Sequence, residues 1–155
     1  MNSIRFDDID KLNSLVSDEY GPWGKQCLIS QEGISAFGQL TEDMQWIHVD
    51  AKRAETDSPF GTTIAHGFFV LSFITALCRS DGYNIVGHSS ALNYGIEHLR
   101  FIKPVLAGSQ IHCRTRIDKV TEKKGGTMID LGVAVHIVGD DDPCLVLSWK
   151  LFYRS

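Results

Sequence analysis

No basic stripe or run of lysine and arginine breaks up this chain, whose formal net charge is −4 at pH 7. That excludes nucleic acid as the main partner, because strand binding rests on clustered positive charge. Any anionic ligand must be held by local groups rather than by an overall field. The opening "MNSIRFDDIDKL" is acidic and has no apolar h-region, so no signal peptide is read there. The longest apolar stretch, residues 64–78, carries His66 and is too short to span a bilayer, so no membrane partner is expected. There is no Cys-x-x-Cys pair: Cys27, Cys78, Cys113 and Cys144 are widely spaced. Free thiols in a reducing cytosol are expected, acting as small apolar fillers. Repeats, linkers and low-complexity tracts are also missing.

What is present is ordinary globular composition. With 155 residues, 43% hydrophobic and 22% charged, the chain suits a single domain over 1–155 with a substantial core. Phe6, Ile9, Leu12 and Leu15 recur at helical spacing behind acidic residues, which predicts an amphipathic helix within 1–20. "GPWG" (21–24) stops it, "KQCLIS" (25–30) reads as a short strand, and Ile34, Phe37 and Leu40 mark a second helix. Residues 42–63 show little periodicity and read as a long irregular segment, the kind that is usually functional. Residues 67–79 are apolar nearly all round and predict a buried helix, followed by a turn over 79–84.

Beyond that, the chain alternates with period two. Strands are expected within 91–105, 110–118, 128–138 and 145–153, joined by the hairpin-like "EKKGG" and "GDDDP". Ile129, Leu131, Val133, Val135 and Ile137 share one face; Leu145, Leu147, Trp149, Leu151 and Tyr153 share another. A twisted antiparallel sheet with one apolar face needs a cover, and helix 67–79 is the element suited to it. The expected fold is therefore α+β: a hot-dog domain with a curved antiparallel sheet wrapped around a central helix.

The candidate chemistry lies ahead of that helix. In "EDMQWIHVD" (42–50), Asp43 and His48 stand five positions apart, about 140° around a regular helix. They converge only if the intervening chain is irregular. A carboxylate and an imidazole on one water form a general acid–base pair, worth on the order of 10²–10⁴ in rate. The alternative is that Asp43 caps a turn and His48 packs on Trp46. At His66-Gly67 the buried helix begins, where unpaired N–H groups and the positive dipole end are found. Glycine leaves its amide open to a carbonyl oxygen, which is oxyanion-hole logic. Ser72 either lines the same cavity or bonds back to its own helix. His48, Asp50 and His66 as metal ligands match no common spacing, and no H-E-x-x-H occurs. A nucleophilic Ser72 or Cys78 lacks a G-x-S-x-G elbow. His88, His98, His112 and His136 sit in turn or strand patterns and read as surface or core residues.

These fragments resemble a known signature. "TEDMQWIHVDAKRA…FGTTIAHGFFVLS" is similar to the MaoC-like dehydratases, the (R)-specific enoyl-CoA hydratase family, and within it to the nodulation protein N-like branch. "LNYGIEHLRFIKPVLAGS" (92–109) resembles the family's strand with its "RF…PV…GS" ending. The resemblance implies catalytic roles for Asp43 and His48, an oxyanion donor at Gly67, and substrate contacts from Ser72, Trp46, Asp50 and His66. Many members have Asn-Pro where this chain has Gln45-Trp46, which bears on substrate identity. Also implied are reversible hydration of a trans-2-enoyl thioester, no metal or redox cofactor, coenzyme A or acyl carrier protein as the substrate's handle, and a cytoplasmic homodimer. A hot-dog thioesterase and a non-catalytic acyl-thioester binding module are the alternatives.

Overall fold

The computed structural model describes residues 2–78 and 83–155. The elements run β1 (Asn2–Arg5), α1 (Ile9–Asn13), β2 (Cys27–Leu28), α2 (Gln31–Thr41), α3 (Trp46–Val49), α4 (Ala51–Asp57), α5 (Gly67–Ser72), α6 (Ile74–Leu77), β3 (Tyr83–Val86), β4 (Ser90–Phe101), β5 (Gln110–Lys123), β6 (Gly126–Ile137) and β7 (Pro143–Arg154). Five strands form one antiparallel sheet in the order β2-β5-β6-β7-β4, and β1 pairs with β3 in a separate parallel ribbon. No helix among the described residues is long and apolar enough to cross a membrane.

Alternation explains the large sheet. Ile111, Cys113, Val133, Val135, Leu145 and Leu147 are buried on its inner face, against Val70, Ile74 and Leu77 of the central helix. Those three helix residues follow i, i+4, i+7 spacing and form one stripe. The β5–β6 reversal turns on Gly125, whose φ of 85° needs a residue without a Cβ. Strand β4 forms the far edge of the sheet and carries bulge-like register shifts at Asn93/Gly95 and Glu97/Arg100.

Four expectations need correction. First, residues 1–20 are not one helix. Residues Asn2–Arg5 pair with β3, Phe6 extends that ladder through its amide to the Val86 carbonyl (3.0 Å), and only Ile9–Asn13 are helical. The parallel partner lies some eighty positions away, and Ile4 and Leu12 form a second small core with Ile117 and Ile129. Second, residues 42–63 are partly regular: α3 and α4 are short helices, the second capped by Asp50, whose carboxylate accepts from the Arg53 amide (3.0 Å). Third, the central helix is broken at Phe73. The Ser72 hydroxyl donates to the Phe69 carbonyl (2.7 Å), and the Phe73 amide turns to Val70 instead (3.1 Å). Its outer face is also open, with Phe68, Ser72 and Thr75 exposed. Fourth, of the turn expected over 79–84, residues 79–82 lie outside the described residues, as does Arg79 of the expected helix; Tyr83 and Asn84 belong to β3.

Candidate active site

Helix α2 ends at Glu42, which takes the left-handed conformation (φ 60°), uncommon for a residue with a side chain. This reversal delivers Asp43 out of the helix. Gly38 allows the approach: a Cβ there would sit 2.9 Å from the Asp43 carbonyl and 3.4 Å from the His66 ring. After Gln45 the single turn of α3 presents His48.

A second strand-like stretch faces this loop and is stitched to it. The Ile64 amide donates to the Ile47 carbonyl (3.1 Å), the His48 Nδ1–H donates to the Ile64 carbonyl (2.8 Å), and the His66 Nε2–H donates to the Asp43 carbonyl (2.9 Å). Because carbonyls only accept, these bonds fix both tautomers. His48 keeps its Nε2 lone pair. His66 keeps Nδ1, which is buried and has no partner among the described residues. The two rings stack at 3.9 Å and 27°. Residues 63–65 are pinned on their other side, through Ala65 N–H to the Val105 carbonyl (2.7 Å) and Ala107 N–H to the Thr63 carbonyl (3.0 Å).

The outcome is a cluster. A carboxylate oxygen of Asp43 and one ring nitrogen each from His48 and His66 all lie within 4.8 Å of one another. Two contacts of about 2.8 Å to one water at a tetrahedral angle span about 4.6 Å, so this spacing suits a water held between carboxylate and imidazole. The same trio has metal-type donors, with Asp43 in place of the Asp50 of the metal set that the sequence spacing argued against. A metal about 2.1 Å from both nitrogens would have to lie in both ring planes at once. With centroids 3.9 Å apart and only 27° between their planes, the two rings lie nearly face to face rather than splayed around a common point.

Beside the cluster opens a cavity of about 400 Å³, lined by His48, Gly67, Phe68, Phe101, Lys103 and Val105 among others. Gly67 is the first residue of α5, and its N–H has no acceptor among the described residues. The Phe101 ring lies against its α-carbon: a Cβ at residue 67 would meet that ring at 2.9 Å. Lys103 is bound by Asp140 (2.8 Å) and Asp142 (3.2 Å), which hold its ammonium above its usual range, and its hydrogen bond in turn holds the Asp140 carboxyl below its own. Cys144 also lines the cavity, but burial pushes its thiol up to about 11, so it is no thiolate at neutral pH.

The other expected substrate contacts fall elsewhere. Ser72 bonds back to Phe69 and lines a different cavity of about 540 Å³, with Asn93, Tyr94, Ile96 and Trp149. Trp46 lies under the Arg53 guanidinium (4.4 Å), tying α3 to α4, and Asp50 caps α4. His66, 3% exposed, lines neither cavity and orients Asp43 from below. Residues missed in the sequence are Gln31 and Thr63, which bond to each other behind His48, and Lys103 and Phe101 as cavity walls. "RFIKP" reads there as strand and as part of the "RF…PV…GS" ending, with no cavity role for its side chains, although a large aromatic two residues before a basic one is visible.

A curved antiparallel sheet around a central helix, with a polar loop at that helix's N-terminus, defines a hot-dog domain. Residues 23–138 match the family model described as MaoC like domain, and the chain belongs to that family. It is 34% identical over 150 residues to Nodulation protein N of Rhizobium meliloti (strain 1021), covering 96% of this chain and 91% of that protein. It is 38% identical over 119 residues to 3-hydroxyacyl-thioester dehydratase Z of Mycobacterium tuberculosis (strain ATCC 25618 / H37Rv), covering 76% of this chain and 78% of that one. The structure of unliganded R-hydratase PhaJ1 from Pseudomonas aeruginosa matches with a TM-score of 0.70 at 19% identity, covering 88% of this chain and 83% of that chain.

Proposed function

We propose that this chain is an (R)-specific hydro-lyase that adds water reversibly across a trans-2-enoyl thioester. One observation carries the reading: the Asp43 carboxylate and the His48 imidazole lie within 4.8 Å, and His48 shares a cavity with the free amide of Gly67. The thioester carbonyl sits on the Gly67 N–H, and water is held between Asp43 and His48. As the water oxygen bonds to C3, the pair takes its proton. The C2=C3 electrons shift toward the thioester, and the oxygen that gains enolate charge is met by the Gly67 amide at no reorganisation cost. A proton returned to C2 completes the addition of one water. Coenzyme A or an acyl carrier protein serves as the handle, and no further cofactor takes part. The relative named as a 3-hydroxyacyl-thioester dehydratase supports the substrate class.

The working unit is a homodimer. Edge strand β4 exposes Leu92, Tyr94 and Ile96, the register shift at Asn93/Gly95 placing Leu92 and Ile96 on opposite faces, and an exposed apolar edge of that kind is what a second copy covers.

Crotonyl-CoA tests the function. Loss of the enoyl absorbance without thiol release is expected, and Asp43→Asn should lower kcat by on the order of 10²–10⁴. Thiol release with the enoyl absorbance intact points to a thioesterase. An Asp43→Asn enzyme as fast as wild type defeats the assignment.

A further inference from the structure

We propose that Gln31 is a positioning residue for His48, acting through a link that also contains Thr63; the proposal rests on the hydratase reading of the site. Gln31 is the first residue of α2 and half-buried. Its Nε2 donates to the His48 main-chain carbonyl (2.9 Å) and to Ser35 Oγ (3.1 Å), while its Oε1 accepts from the Thr63 hydroxyl. The amide can be oriented in one way only, because the His48 carbonyl has no proton to give.

The bonds close a ring. Thr63, 1% exposed, precedes Ile64, whose carbonyl receives the His48 Nδ1–H at 2.8 Å. His48 is therefore held at two points: its backbone by Gln31 and its imidazole by Ile64, with Thr63 fixing the distance between the two holders. Such a clamp is needed because α3 is four residues long, and its N-cap Gln45 makes no side-chain cap bond. A single turn does not hold its own orientation. The side chain must be an uncharged amide: an apolar one leaves the His48 carbonyl and the Thr63 hydroxyl without their partner, and a carboxylate faces the carbonyl with like polarity. A displacement of about 1 Å at a reacting group costs on the order of 10²-fold in rate.

The test uses the full chain with Gln31→Met, Gln31→Glu, Thr63→Ser and Thr63→Val. Gln31→Met is expected to lower kcat by about 10–100-fold with KM within about threefold. Gln31→Glu sets a carboxylate against the His48 carbonyl, to which it cannot donate, and is expected to lower kcat at least as far as Gln31→Met. Thr63→Ser retains the hydroxyl and most of the activity; Thr63→Val does not, and adding it to Gln31→Met costs little more because both break one link. Ring ¹⁵N shifts give a readout independent of turnover: wild-type His48 is the Nδ1–H tautomer, and Gln31→Met mixes the two. An inactive wild type with that tautomer change sinks the hydratase reading and leaves the link standing. An active wild type whose kcat and tautomer ignore the Gln31 and Thr63 variants overturns the link alone. So does a variant set that loses thermal stability and nothing else.

Discussion

Replacing Gly67 by alanine sets a methyl group against the Phe101 ring, which supplies its three nearest neighbours. The added Cβ lies 2.9 Å from both Cδ1 and Cε1 of Phe101 and 3.2 Å from Cζ, whereas unstrained carbon contacts are about 3.5–4.0 Å. The ring has to retreat by about 0.6 Å. Residue 67 has helical backbone, so no strain is added there. Overpacking costs about 1–3 kcal/mol, and Phe101 is 47% exposed, so its ring can swing toward solvent and the cost falls at the low end, about 1 kcal/mol. For a chain of this length that lowers Tm by about 2–4 °C. Activity responds more strongly. The ring walls the cavity next to the Gly67 amide, and a carbonyl shifted by about 1 Å loses on the order of 10²-fold. The check is a cycle of wild type, Gly67→Ala, Phe101→Ala and the double variant, followed by thermal melts and by kcat/KM on crotonyl-CoA. With Phe101 truncated the methyl loses its three nearest contacts, so the Gly67→Ala penalty should shrink by at least about 0.5 kcal/mol in both readouts. An identical penalty in both backgrounds refutes the steric account.

Three further outcomes follow from the geometry. Ser72→Ala should leave kcat within about twofold and Tm level or slightly raised, because the hydroxyl serves its own helix and alanine is the better helix former; a large loss of kcat in steady-state assays would place Ser72 at the substrate. Lys103 holds the Asp140 carboxyl below its ordinary range, so that stabilisation is present above about pH 3.9 and fades as pH falls through the folded value. Calorimetry of wild type and Asp140→Asn should therefore show a Tm gap at pH 6 that closes toward pH 3, and a gap independent of pH contradicts the pairing. In sedimentation the wild type should run as a dimer and Ile96→Lys, on the open β4 edge, as a monomer; a monomeric wild type ends that proposal.

The sheet was legible because its pattern is local. Strands β5 and β7 bury mainly one face and β6 repeats its large apolar residues at every second position from Ile129 to Ile137, and a register slip would move that whole set to the other face. The ribbon of β1 and β3 was not, since a four-residue strand whose partner is some eighty positions away carries no local period. The break at Phe73 depends on one hydroxyl competing for one carbonyl, which apolarity does not reveal. Around the site, Asp43 and His48 read as candidates by residue type, but their convergence depends on a left-handed Glu42 and a single helical turn, which no hydrophobic period encodes.

The acceptors explain why the supporting residues stayed hidden. Asp43, His48 and Ile64 are gripped through main-chain carbonyls, which every sequence has everywhere. Only the donors carry residue identity, and His66, like the Thr63 that holds the donor Gln31, is buried within a stretch that otherwise reads as the approach to an apolar helix. A buried polar group without a partner is costly, so each one implies a specific acceptor nearby. In "TTIAHG" the polar side chains at 63 and 66 therefore face the preceding loop while Ile64 and Ala65 continue the path of the chain, with Ile64 bridged to Leu106. It follows that the 63–66 stretch fixes the site geometry more strictly than exposed loop positions such as Met44, whose side chain makes no hydrogen bond and is half-exposed.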